Sequence, residues 1–257
     1  MAKPISSLLQ RLFLKRELRH WRTVADSAET AELPLLRTQR NQARKLKTQL
    51  DRVLHMVDAR LTQPTDGVNL FPVPHGTDWT WRPQLFRGSL PVPGMASVAS
   101  RSRLGDEVTL HHDCQQSELS LRQIGNHSTT DLAPFGLSLD VFAFDGSYLS
   151  LVIELPPDAV KGLTKNHLIR LTTIVEMEKP LEIFARLNIT HGPNTAQVLR
   201  ELPIGQSESM VEFDLAYSDL NEQRIEKAWI DLIFEGPEMN RVVLRDVNLS
   251  RAPRAAV

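Results

Sequence analysis

The sequence is short of several things, and each absence removes a class of protein. It has one cysteine, Cys114, in 257 residues. That excludes an intramolecular disulfide and leaves no cysteine spacing for a structural zinc. A lone thiol also fits a reducing compartment. No run approaches the roughly 18 consecutive apolar residues that a membrane-spanning helix needs. The apolar run at residues 5–14 is interrupted by Gln10 and Arg11. It is followed by Lys15, Arg16 and Glu17, where an export signal would carry small residues for cleavage. The expectation is a cytoplasmic protein, with peripheral membrane attachment as the alternative. Aromatic residues make up only 6% of the chain, so each tryptophan is worth placing. The chain has no phosphate-cradling glycine loop, nucleophile elbow, zincin helix or kinase signature. Neither a cofactor nor an enzymatic activity is expected.

What the sequence does have is a division near residue 62. Residues 1–61 hold thirteen Lys and Arg against six Asp and Glu, a net of +7. From chain totals of 30 and 31, the rest keeps seventeen against twenty-five, a net of −8. A near-neutral total thus conceals two oppositely charged regions, and the pattern points to an interaction surface. In the basic arm, Ile5, Leu8, Leu9, Leu12 and Phe13 recur at helical spacing, among Arg11, Lys15, Arg16, Arg19 and Arg22. Such a helix can lie on an anionic membrane, with Phe13 and the leucines dipping in. The plainer reading is a helix docked on the protein's own body or on another copy, because most amphipathic helices cover a core. A second helix is predicted over residues 33–61, with Pro34 in its first turn. Ala43, Leu46, Leu50, Val53, Val57 and Leu61 lie close to a heptad seam, which suits a short coiled coil or a helical hairpin. The arm lacks the aromatic interleaving or motif of a nucleic-acid binder, so a nucleic-acid partner is not expected.

Residues 63–103 are rich in Pro and Gly and read as an irregular wrap. Leu70, Phe71, Trp79, Trp81, Leu85 and Phe86 would pin it across the sheets. Beyond it, alternation of apolar and polar residues predicts strands at 108–112, 118–124, 139–144, 147–155, 168–175, 181–189, 197–202, 210–215, 228–234 and 242–249. Asp145-Gly146 is a two-residue hairpin signal. Residues 178–180, 191–194 and 236–238 read as looser turns, and 219–227 as a short helical crossover. Ten strands with regular turns predict a mainly β protein, an antiparallel jelly-roll-like β-sandwich preceded by an N-terminal helical arm. The expected divisions are 1–62 for the arm, 63–103 for the wrap and 104–257 for the sandwich.

The run from Trp79-Thr80-Trp81-Arg82-Pro83 through Gln84-Leu85-Phe86-Arg87-Gly88 resembles an uncharacterised alphaproteobacterial domain family, a domain of unknown function. So does the ending Leu244-Arg245-Asp246-Val247-Asn248-Leu249-Ser250-Arg251-Ala252-Pro253-Arg254. The resemblance covers nearly the whole chain and implies a bacterial source. It implies no activity, cofactor or catalytic residue. The strand-rich half is also similar in pattern to galactose-binding-type jelly rolls, a likeness that does not establish function.

Four clusters are candidates for chemistry. His111-His112-Asp113-Cys114 is dense in ligand types, and a metal would need two of them together with distant residues such as His75, Asp78 or His191. The preferred reading is a polar strand end, with Cys114 as a small core residue. Glu176 and Glu178 share a strand face, and paired carboxylates can hydrolyse glycosides; a solvated strand end is simpler. Trp79 and Trp81 face one way along an extended segment, where exposed indoles would stack on sugar rings. Against this stands burial as anchors of the wrap. Trp229 reads as core or sheet surface, and Trp21 as a membrane-interface residue or the close of the first helix. Asn126, Asn188 and Asn248 begin glycosylation sequons, which mean little without a secretory signal. The leading reading is a non-catalytic binding module for a glycan, contacted through Trp79 and Trp81. The alternative is a structural or interaction protein whose arm (Leu8, Leu9, Arg11, Leu12, Phe13, Lys15, Arg16) mediates self-association or meets an anionic membrane. An enzyme of unknown type is the third.

Overall fold

The structure is a computed structural model, and it describes residues 7–61, 71–126, 132–203 and 208–254. The chain falls into two compact units, residues 1–53 and 54–257. Two helices open it, α1 at Ser7–Ser27 and α2 at Leu33–Leu61. The turn between them is closed by backbone bonds from Ala28 to Ala25 and from Thr30 to Ser27.

The second unit is an antiparallel sandwich of thirteen described strands. They are β1 (Trp79–Trp81), β2 (Gly94–Ala96), β3 (Ser102–Leu104), β4 (Val108–His112), β5 (Leu119–Gly125), β6 (Phe135–Val141) and β7 (Leu149–Glu154), then β8 (His167–Met177), β9 (Ile183–His191), β10 (Asn194–Glu201), β11 (Ser209–Asp214), β12 (Ile225–Phe234) and β13 (Asn240–Pro253). One sheet runs β11-β8-β13-β6-β5-β2, with β1 paired to the far half of β13; the other runs β10-β9-β12-β7-β4-β3. From β7 onward the chain changes sheet at almost every connection, the jelly-roll habit. The exception is the tight β9–β10 hairpin, where Gly192 takes a φ of +61°.

Period-two alternation explains the core. Ala228, Ile230, Leu232 and Phe234 of β12 face inward beside Ile183, Ala185, Leu187 and Ile189 of β9 and Leu149, Leu151 and Ile153 of β7. Across the sandwich they meet Ile169 and Leu171, Phe213, Leu137 and Leu139, and the inner residues of β13. β13 is long enough to need a phase correction. A bulge between Leu244 and Asp246 adds one residue, so Val242 and Leu244 before it, and Val247 and Leu249 after it, all face the core.

The ten strands expected from alternation are present, with shifted ends. β1, β2 and β3 fall within the span read as irregular; three residues are too few to show a period. The wrap does bury Phe71, Leu85 and Phe86, the last two on a one-turn helix, α3, at Gln84–Arg87. Polar side chains fasten it. Buried Gln123 accepts the Leu90 N–H at 2.8 Å and donates to the carbonyls of Leu85 (2.6 Å) and Gly88 (2.8 Å). Arg82 grips Asp246 with two bonds, of 2.9 and 2.7 Å, both side chains only 3% exposed, and its guanidinium lies 4.9 Å from the Phe71 ring centroid.

Asp145-Gly146 does not make the expected hairpin. β6 lies in one sheet and β7 in the other, so this segment crosses between them. Gly146 is required by a close approach: a Cβ there would sit 2.5 Å from Asp113 Oδ1. The crossover expected at 219–227 is shorter than predicted, a single 3-10 turn at Glu222–Arg224, with β12 already begun at Ile225.

The Arg82–Asp246 pair carries a test. Removing one partner leaves an uncompensated buried charge, so Arg82→Ala or Asp246→Ala should each lower unfolding free energy by about 3–5 kcal/mol. The double variant Arg82→Met/Asp246→Leu should lose less than the two single losses together. Urea denaturation measures all three; single losses under about 1 kcal/mol would show that the pair does not hold the wrap.

Candidate functional site

Alternation that fills the core with one set of residues sends the other set outward. On the six-stranded sheet the outward set is unusual. Paired registers align Gln197, Asn188, Trp229 and Glu154 in one row, Leu199, Arg186, Asp231 and Val152 in the next, and Phe184, Ile233, Ser150 and His111 in a third. These rows floor an open groove of about 480 Å³ whose lining includes Trp229, Asp231, Arg186, Asn188, Ser150 and Tyr148.

Outward polar residues on a sheet normally stand in water, yet Asp231, Asn188 and Ser150 are buried in the floor. A buried carboxylate needs partners, and Asp231 has them. Arg186 donates to Asp231 Oδ2 from Nε at 2.9 Å and from Nη2 at 2.6 Å, and Asn188 Nδ2 donates to the same oxygen at 3.0 Å. Gln197 Nε2 then donates to Asn188 Oδ1 at 3.0 Å. Every one of these bonds converges on Oδ2 or on Asn188, and Oδ1 of Asp231 accepts none from the described residues. Ser150 Oγ is buried and has no hydrogen-bond partner among them either. The groove therefore combines a half-buried indole, an acceptor and a hydroxyl without partners among the described residues, and a fixed planar network. Lys227 reaches over Trp229 with its ammonium 5.5 Å from the ring centroid. At an exposed site such a contact is worth only about 0.5–1 kcal/mol, so a ligand can replace it.

The His111–Cys114 run has been split by its strand. His111 points into the groove, while His112 is buried on the other face with Nε2 2.8 Å from the Val98 carbonyl. Asp113 is a loop clamp. It accepts from Ser147 N at 2.7 Å, Ser147 Oγ at 2.6 Å and Tyr148 N at 3.2 Å, which fixes Tyr148 at the groove's end. The Ser147 hydroxyl, helped by these amides and opposed by desolvation, holds the Asp113 carboxyl below its ordinary value of 3.8. Burial pushes the Cys114 thiol up, away from the reactive thiolate. Among the described residues, no three His, Cys, Asp or Glu side chains come together as a metal cluster. His191 is buried in β9, and Asp78 receives Arg251 Nε at 2.9 Å and Nη2 at 3.0 Å.

Trp79 and Trp81 do not form an outward platform. They stand opposite Arg251 and Leu249, on the inward face of β13, and pack half-buried against the core with their rings 6.4 Å apart and 18° from parallel. Glu176 and Glu178 do share a face, in a second groove of about 360 Å³ on the other sheet. Each meets an arginine there: Arg245 Nη2 lies 2.9 Å from Glu176, and Arg241 Nη1 4.0 Å from Glu178. Both carboxylates are well exposed, at 57% and 62%, as at a solvated strand end. Asp78, His167 and Thr164 resemble a relay, with contacts of 3.5 Å and 2.9 Å. However, His167 Nδ1 also accepts the Thr164 backbone N–H at 3.1 Å, a local turn bond. The amides of Asn126, Asn188 and Asn248 are all committed to internal hydrogen bonds.

In the arm, Phe13, Lys15 and Arg16 are exposed on α1. Leu8, Leu9, Arg11 and Leu12 lie on the same helix, with side chains outside the described residues, as does the whole of Ile5. The seam residues Leu46, Leu50, Val53 and Val57 of α2 are exposed.

The fold and groove define an antiparallel β-sandwich with one open, polar-floored sheet face. The whole chain, residues 1–257, matches the family described as Family of unknown function (DUF6478), and the protein belongs to that family. No match is found among curated proteins. Among solved structures, it is similar to the family 11 carbohydrate-binding module from Clostridium thermocellum, solved with a β-1,3-1,4-mixed-linked tetrasaccharide (13% identity, TM-score 0.40, 64% of this chain and 99% of that one). It is also similar to a C-terminal family 22 carbohydrate binding module from the same organism (9% identity, TM-score 0.39, 73% and 99%). A third likeness is to the enzymatically active domain of bacteriophage CBA120 tailspike protein 4 (9% identity, TM-score 0.41, 60% of this chain). There the chain spans about a fifth of the partner's length, 21%.

The Asp113 clamp predicts a pH effect. With its carboxyl held below 3.8, its contribution is present above that pH and is lost as pH falls through the lowered value. Asp113→Asn should therefore be less stable than the wild type at neutral pH, with the gap in Tm narrowing as pH drops below 3.8. A gap that stays constant down to pH 3 would contradict the clamp.

Proposed function

We propose that this protein is a non-catalytic glycan-binding module whose ligand lies in the groove on the six-stranded sheet. The observation that carries the reading is Asp231: a buried, ion-paired carboxylate lining the groove, whose Oδ1 accepts no hydrogen bond from the described residues, beside the indole of Trp229. Sugars present hydroxyls that donate and accept, together with apolar ring faces. A fixed carboxylate oxygen and the amide of Gln197 suit the first, and Trp229 suits the second, since an indole gives large contact area at low entropic cost. Because Arg186 and Asn188 already hold Asp231, binding needs little reorganisation of the floor. Trp229 and Tyr148 lie about six strand positions apart, on the order of 20 Å, room for a chain of several sugars. The proposed contact thus moves from Trp79 and Trp81, which face the core, to Trp229, which faces outward from the same kind of alternation.

The test is a glycan array followed by calorimetry with the best soluble oligosaccharide. Trp229→Ala should weaken binding by about 2 kcal/mol or more, roughly thirtyfold, with a modest change in Tm. Trp81→Ala should do the reverse, lowering Tm while the folded fraction still binds. Retained affinity in Trp229→Ala, or no glycan bound by the wild type, would contradict the proposal.

A further inference from the structure

The helices carry a separate surface. On α1, Phe13 and Leu18 are each 62% exposed and Leu14 59%. Leu14, Leu18, Trp21 and Ala25 follow one another at spacings of four, three and four, which places them on one helical stripe. Lys15, Arg19 and Arg22 flank that stripe, and all three are exposed. α2 repeats the pattern: Leu46, Leu50, Val53 and Val57 are exposed on one side, with Arg40 and Lys47 exposed beside them. Large apolar side chains left in water call for an occupant.

Charge decides which occupant. Thirteen basic against six acidic residues in 1–61 would set two copies of this surface against each other with like charge. Anionic lipid offers the opposite sign together with an apolar layer at the depth a leucine reaches. Neither helix is long and apolar enough to cross a bilayer, so the geometry is in-plane. Low overall hydrophobicity, a Lys/Arg face and a Leu/Phe/Trp face are the properties of a helix that lies in the headgroup region. Trp21, half-buried at the edge of the stripe, is the residue type found at that depth.

We propose that α1, with its stripe of Leu14, Leu18 and Trp21 and its flanking Lys15, Arg19 and Arg22, docks the protein onto an anionic phospholipid surface. Lys and Arg stems can lie along the apolar face while their charged heads meet lipid phosphates. This proposal does not depend on the groove, since none of its residues lines it.

The full chain should be tested by co-sedimentation with vesicles of phosphatidylcholine alone and of phosphatidylcholine containing one part in four phosphatidylserine. It should pellet with the anionic vesicles and stay in solution with the neutral ones. Raising salt from about 0.1 M to about 1 M shortens the screening length from about 10 Å to about 3 Å and should release it. Leu14→Glu/Leu18→Glu and, separately, Arg19→Glu/Arg22→Glu should each lower the bound fraction at least tenfold. The sandwich's thermal transition reports that each variant is folded. Absence of binding at low salt, equal binding to neutral vesicles, or binding untouched in both folded variants would overturn the proposal. So would a concentration-dependent dimer that Leu14→Glu/Leu18→Glu abolishes in the absence of lipid, because the occupant would then be a second copy.

Discussion

The alternation of β12 is the constraint on which both halves of this molecule depend. Ala228, Ile230, Leu232 and Phe234 go into the core, so Lys227, Trp229, Asp231 and Ile233 must go out. A one-residue slip would exchange the two sets. It would put a carboxylate and an ammonium into the hydrocarbon interior. The ion pair from Arg186 on β9 to Asp231 on β12 joins directly opposed residues, so it fits one register and no other. The interaction that shapes the groove floor therefore also reports correct pairing of the sheet. A buried pair of this kind adds specificity of arrangement more dependably than it adds stability.

The same logic recurs where the chain leaves its strands. Regular pairing satisfies backbone groups inside the sheets, and the connections need other partners. Asp113 supplies acceptors for the 145–148 crossing, the Gln123 amide supplies donors for the carbonyls of Leu85 and Gly88, and Glu107 supplies an acceptor for the first amide of α3, at 2.5 Å. These polar fasteners tie loops to the rigid sandwich. Through Asp113, the fastening extends to Tyr148 at the end of the groove. Burial lifts the Glu107 carboxyl above its ordinary value, against the pull of the Gln84 amide and Arg87, so ionising it works against the fold as pH rises through that range.

Much of the fold was legible because long strands repeat their period often enough to be read: 181–189 and 228–234 announce themselves. β1, β2 and β3 do not, because three residues carry no period and their pairing is decided by partners far along the chain. Asp145-Gly146 misled for a related reason. The same dipeptide serves a two-residue hairpin or a glycine under a carboxylate, and only the position of Asp113 distinguishes them. The groove was hidden more deeply. Trp229 reads from sequence as core or sheet surface, Asn188 as the start of a sequon, and Asp231 and Arg186 carry no motif at all. Their meeting requires the β7–β12–β9 register, which a sequence without its pairing does not contain. Trp79 and Trp81 were conspicuous by type and spacing, yet they sit opposite Leu249 and Arg251 and turn inward. The whole-chain family resemblance was legible, and the family itself carries no assigned activity.

The central claim is that a glycan sits against Trp229 and the Asp231 network. The most direct measurement is a two-dimensional ¹⁵N NMR titration of the protein with soluble oligosaccharides, reading the indole N–H signals of Trp21, Trp79, Trp81 and Trp229 and the side-chain amides of Asn188 and Gln197. A glycan in the groove should give saturable shifts at Trp229, Asn188 and Gln197, with Trp79 and Trp81 unmoved. Shifts centred on Trp79 and Trp81, or a spectrum unchanged across neutral and acidic oligosaccharides, would contradict it.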